Sequence, residues 1–191
     1  MKRGFVGIGI LLIGFLMFQG CKSHEPYASE VRVLDSLRGE VTDAAERFGE
    51  IPYDQTVTTI ETILADLEII QRQYIGDMPK AQAMMLGSYY ESKKICKNFS
   101  SRYKRLENEI ERTDKQLKDL SGALQTGATE DTEGNQFTPI YVKEVFTQEV
   151  SVAKSLITEI DDLNQRVSKL EMRYEDLKPQ IQELMDSLGI E

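Results

Sequence analysis

The sequence predicts an all-α protein: a long antiparallel coiled-coil hairpin with a shorter helical hairpin packed on one half of it, as a partial four-helix bundle. Three observations lead there. Two long segments carry an apolar residue at alternating steps of three and four over many turns, the seven-residue repeat of helices that wrap around each other. Glycines and prolines gather between the periodic segments. No segment shows the period-two alternation of a half-buried strand. Composition agrees, with 29% charged residues, five prolines and no tryptophan in 191 residues, a balance suited to long helices.

Four helices are expected, at about Ser29–Phe48, Asp54–Ile75, Met78–Thr126 and Pro139–Leu188. Gly49, Gly76, Gly127 and Gly189 each follow a periodic segment, and Pro52, Pro79 and Pro139 open or precede the next. Glycine accepts the left-handed conformation that closes a helix, and proline is tolerated in a first turn. Asp54, Asp77 and Thr138 are candidate N-caps, because a short side-chain oxygen there accepts from a free backbone N–H. Gly122 and Pro179 fall inside the third and fourth helices and should weaken or bend their ends.

In the first helix Leu34, Leu37, Val41, Ala44 and Phe48 form the apolar stripe, and in the second Ile60, Ile63, Leu67, Ile70 and Tyr74 do. The phase slips near Pro52, so these are two helices. The short connection favours an antiparallel hairpin. A spectrin-like alternative lays the two helices end to end, giving three helices side by side.

The third helix repeats from Met85 through Tyr89, Ser92, Cys96, Phe99 and Leu106 to Leu124, and the fourth from Val142 through Glu149, Leu163, Leu170 and Ile181 to Leu188. In an antiparallel pair, facing residue numbers sum to a constant, and a sum of 266 matches every a position with a d position. Thus Cys96 faces Leu170, Leu106 faces Ile160 and Leu117 faces Glu149. Sums of 259 or 273, one heptad away, keep the matching but lose the flush ends. The short hairpin should cover the Met78–Leu188 end, leaving Gly127–Thr138 as a distal tip on a bare two-stranded arm. The expected organisation is 1–20 signal peptide, 21–28 lipid anchor and tether, 29–76 short hairpin and 77–191 long hairpin, with 29–191 one folded unit.

The first residues address the chain. Lys2 and Arg3 precede an apolar stretch, Phe5–Phe18, that is short for a membrane-spanning helix, which needs about 20 residues, and suits a signal peptide. Phe18-Gln19-Gly20-Cys21 resembles the lipobox of bacterial lipoproteins, with the pattern's Gly-Cys in place and Phe18 and Gln19 departing from its usual Leu and small residue. The resemblance covers residues 1–21 and implies cleavage before Cys21 and acylation of its sulfur and amine. It also implies that Lys22, where aspartate would retain a lipoprotein at the inner membrane, favours the outer membrane. Two other readings are an uncleaved anchor helix and an ordinary secretory signal; all three place the remaining chain outside the cytoplasm.

Loss of Lys2 and Arg3 leaves 21 basic against 32 acidic residues and moves the net charge from −9 to −11. Such a balance argues against nucleic acid, whose phosphates need lysine and arginine. His24 is the one histidine, so Ser-His and Cys-His nucleophile pairs and His-rich metal sites are not expected. With Cys21 acylated, Cys96 stands alone, a buried and inert thiol. No cofactor is expected. Glu130, Asp131 and Glu133 do not space as a calcium loop; with Asn135 and Phe137 they form a candidate contact tip. Glu149, an acid on the seam, either snorkels past its neighbour or sets register.

The expectation is therefore a lipid-anchored helical interaction or scaffold protein of the bacterial envelope, without catalytic activity. It would hold the membrane through lipid on Cys21 and bind an envelope protein or further copies of itself. The alternative is a periplasmic holdase that grips unfolded clients between helical arms.

Overall fold

A computed structural model of the chain describes residues 26–74, 76–131 and 134–189. It contains α1 (Ala28–Gly49), α2 (Tyr53–Gln73), α3 (Lys80–Ile95), α4 (Phe99–Thr126) and α5 (Pro139–Ser187). The all-helical bundle is as expected. At about 1.5 Å per residue, the 49 residues of α5 extend roughly 73 Å and form the spine of the molecule.

The long antiparallel pair is present, and its contacts fix its direction. Arg102 reaches Asp162 at 2.8 Å, Arg105 pairs with Glu159, and Tyr89 stacks on Tyr174 with centroids 6.5 Å apart. Their residue numbers sum to 264, 264 and 263, while Arg102 to Glu159 O and Arg166 to Ile95 O each sum to 261, so the contacts fall between the 266 register and the one-heptad shift at 259. Leu106, Leu117, Ile160, Leu163 and Leu170 are fully buried along this seam. Thr138 caps α5 as expected, its hydroxyl accepting from Tyr141 N at 3.2 Å. The helix runs through Pro179 without interruption.

The short helices do not double back. α1 packs on α4 and α5, α2 packs on α3 and α5 with a brief contact to α4, and among the described residues no packing joins α1 to α2. Arg38 pairs with Asp114 and Phe48 stacks on Tyr103, while further along Tyr53 stacks on Phe99 and Tyr89 donates to Asp66. As numbers rise through α1 and α2, their partners' numbers fall through α4 and α3. The short helices therefore lie end to end, and the bundle is three helices wide over both halves. The expected short hairpin, four-helix half and bare arm are replaced by this arrangement. The reason sits in the connector. Ile51 N still donates to Phe48 O at 3.1 Å, and Ile51 itself is buried. The chain thus shifts phase while staying in the core stripe, and a kink without reversal is enough.

The expected continuous third helix is also corrected. It begins at Lys80 and breaks at Cys96–Asn98, where Asn98 takes φ 59° and ψ 29°. Asparagine tolerates this left-handed conformation better than most side chains. The break lies beside the α1–α2 junction, and Phe48, Tyr53, Phe99 and Tyr103 close the level with ring stacking. α5 alone passes straight through this waist. Asp54 and Asp77 are not caps, since Pro52 and Pro79 hold those positions with no side-chain bond.

α2 differs from expectation in the face it buries. The inward stripe is Thr56, Thr59, Ile63, Asp66 and Ile70, while Ile60, Leu67 and Tyr74 are only partly covered. Three of the five inward residues are polar. The shift follows from the phase slip together with the partners that α3 and α5 offer to Asp66.

Candidate functional site

Cys21 and His24 lie outside the described residues. α1 begins beside the end of α4: Ser121 donates to Asp35 at 2.7 Å, and Gln125 reaches the same carboxylate. The first turn of α1 and the loop between α4 and α5 therefore share one pole. The α2–α3 turn and the end of α5 share the other. The loop at 127–138 is consequently not at the pole opposite α1's first turn; it is beside it.

That loop has an internal frame. Glu130 and Gln136 form an antiparallel bridge, with Phe137 N donating to Thr129 O at 2.8 Å. Asp131 accepts from Asn135 N and Asn135 Nδ2, each at 2.8 Å, and from the Tyr141 hydroxyl. Glu130 accepts from Gln136 Nε2 at 3.1 Å. Phe137 is partly buried against the core, its ring 6.0 Å from that of Tyr141. Glu133 lies outside the described residues. Of the predicted contact tip, Asp131 and Asn135 thus staple the loop to α5 and Phe137 closes the bundle end.

The densest polar chemistry lies in the other half. Asp66, 6% exposed, accepts from Tyr89 OH at 2.6 Å and from Lys178 Nζ at 2.8 Å. The three residues come from α2, α3 and α5. Burial is the first cause that pushes the Tyr89 hydroxyl well above the ordinary tyrosine range, and the Asp66 carboxylate adds to it. Tyr89 therefore stays protonated and donates. With a lysine and a phenol on one carboxylate, this cluster is a brace across three helices. Its signal in the sequence is faint: Asp66 sits on the 3-4 step of the inward stripe, but its partners are 23 and 112 residues away.

Cys96 is buried at the waist, and desolvation pushes its thiol up to about 11, against the opposing pull of Arg166 and Arg102. Such a thiol is a poor nucleophile at neutral pH. Glu149 does not snorkel. It is buried at 9% exposure with Oε2 unpartnered, and burial raises its pKa above the ordinary carboxylate value while Arg112 pulls it back. Thr113 Oγ1 and Gln116 Oε1, on the facing helix, are likewise buried without a partner. Among the described residues no group of three His, Cys, Asp or Glu is placed to hold a metal ion, and no helix is long and apolar enough to cross a membrane. No protein-family model, curated protein or solved structure matches the chain.

Proposed function

We propose that this chain is a lipid-anchored helical scaffold of the bacterial envelope, attached at one pole through Cys21 and offering its helical flanks to a protein partner. The observation that carries the reading is the position of the first turn of α1 at a pole of the bundle. Few residues separate Cys21 from Ala28, so an acylated Cys21 holds that pole, with the 127–138 loop, close to the lipid surface. The α2–α3 turn then stands away from it by roughly 70 Å, the length of α5. α5 spans the length of the bundle and the shorter helices brace it with buried contacts, a rod that suits spacing or presentation.

Each acyl methylene buried in lipid contributes about 0.8 kcal/mol, and several chains together make attachment stable. Cys21→Ala should move the protein from the membrane to the soluble fraction and abolish incorporation of a palmitate analogue. Undiminished membrane association of that variant rejects lipid anchoring. In lipidated protein, a fluorophore at Ala128 should be quenched by nitroxide-labelled headgroups more than one at Gly76. The reverse order rejects the proposed orientation.

A further inference from the structure

We infer that the groove between α2 and α3 is a docking site for an acidic amphipathic helix of a partner protein, an inference that rests on the scaffold reading and supplies the partner's chemistry. α2 turns Thr56, Thr59 and Asp66 inward, which leaves its apolar flank at the edge of the core, with Leu67 and Tyr74 only partly covered. On that flank Leu64 is 43% exposed, beside Leu67 and Tyr74. Across from it, α3 contributes Leu86, Gly87 and Tyr90, the last 42% exposed. Together they line a groove of about 790 Å³.

The groove continues toward the waist into a second hollow of about 420 Å³, which shares Leu64, Tyr90 and Lys93 with the first. From Ile60 to Tyr74 this trough runs about 21 Å, the length of a helix of about 14 residues. A helix seated there would add a fourth member to the half of the bundle that buries polar residues in its core.

Charge selects the occupant. Lys93, Lys94 and Lys97 line the waist end of the trough, in a chain whose net charge is −9. The Lys93 ammonium lies 4.2 Å and the Lys94 ammonium 5.0 Å from the centre of the Tyr90 ring, so cations flank the apolar floor. Glu91 offsets Lys94 at 2.7 Å, and Glu68, on the opposite wall, is paired with Arg72. The waist end thus favours a helix with leucines at 3-4 spacing and glutamates along one flank, bound apolar face down. Gly87 supplies the clean test. A Cβ built there meets nothing within 4 Å, so a larger side chain fills the trough without crowding the bundle, and it replaces glycine in a helix interior, where other residues are favoured.

The experiment uses purified full-length protein in detergent and two labelled model peptides of about 14 residues. Both carry leucine at 3-4 spacing; one has glutamates on its flank and the other lysines. Fluorescence anisotropy should show the acidic peptide binding at least about tenfold more tightly than its basic twin. Gly87→Leu should abolish that binding with the helical circular dichroism unchanged. Lys93→Glu combined with Lys97→Glu should invert the preference. Equal binding of the twins, absence of binding, or a Gly87→Leu protein that binds like the parent overturns the proposal. So does a dimer of the free protein that Gly87→Leu dissolves, which would make a second copy the occupant. Cys21→Ala should leave all of these results unchanged, so failure of the anchor and failure of the groove are separately visible.

Discussion

The half of the bundle built from α1, α4 and the first part of α5 is held differently from the half built from α2, α3 and the rest of α5. In the first, Leu34, Leu37, Val41, Leu106, Leu117 and Ile160 make an aliphatic interior interrupted by Thr113, Ser121 and Glu149. Arg38–Asp114 and Arg47–Asp161 sit on its rim. These rim pairs are exposed, and each contributes at most about 1 kcal/mol. In the second, Thr56, Thr59 and Asp66 occupy inward positions, Tyr89 and Lys178 close on the carboxylate, and leucines are left facing a groove. The first half leaves the buried Thr113 Oγ1 and Glu149 Oε2 without a partner, whereas in the second Asp66, Tyr89 and Lys178 satisfy one another across three helices. The proposed groove, with Leu64 and Tyr90 exposed along it, lies on the second half.

Two truncations should separate the halves most strongly. Leu106→Ala removes a fully buried side chain and should cost about 2–5 kcal/mol, the spread reflecting how far neighbours collapse. Asp66→Ala leaves the Tyr89 hydroxyl buried without an acceptor and Lys178 without its partner. Because Lys178 retains 27% side-chain exposure, its ammonium recovers some water, and the cost should be about 2–4 kcal/mol. Native-state hydrogen exchange distinguishes them beyond magnitude. Leu106→Ala should raise exchange chiefly in α1 and α4, and Asp66→Ala chiefly in α2 and α3. Identical exchange patterns would show one cooperative unit and remove the distinction.

Legibility in the sequence divides along the same line. The stripes of α1, α4 and α5 are readable because leucine, isoleucine and valine mark the inward positions and water-loving residues mark the rest. The α2 stripe is not, since Thr56, Thr59 and Asp66 read as outward until Tyr89 and Lys178 are seen to meet Asp66. Periodicity alone takes Ile60 and Leu67 as core instead. The break at Asn98 hides for another reason. Cys96 and Phe99 remain three apart and both stay buried, so the heptad crosses the left-handed residue with its phase intact. End-to-end and hairpin placements of α1 and α2 share one short connector; only the packing of the two helices and the burial of Ile51 tell them apart. The loop at 127–138 is recognisable as a loop from its glycines and polar residues, but its pole depends on that placement.

The waist where the halves meet offers a smaller effect. Asn98 holds a conformation in which side chains bearing a Cβ are disfavoured by about 1–2 kcal/mol. Asparagine reduces that cost and glycine removes it. Asn98→Ala should therefore destabilise by about 1 kcal/mol, and Asn98→Gly should match or slightly exceed the parent in chemical denaturation. If alanine is tolerated without loss, α3 and α4 join as one straight helix in solution, and the two halves are no longer separate packing units.

The smallest effect lies inside the first half, at its buried acid. Glu149 has a folded-state pKa raised by burial, so the native state holds its proton more tightly than the unfolded chain does. Its unfavourable contribution is absent below the unfolded carboxylate pKa. It grows as pH rises through the folded value and is complete above it. Glu149→Gln removes the charge while keeping the shape, and should stabilise the protein by about 1 kcal/mol at neutral pH. The gain should vanish as pH falls below about 4, where the parent carboxyl is protonated in both states. Urea midpoints across that range measure it directly. A gain that persists at low pH would assign the effect to packing against Thr113 and Gln116, and a loss at neutral pH would mean that the Glu149 carboxylate is held by the Arg112 charge after all.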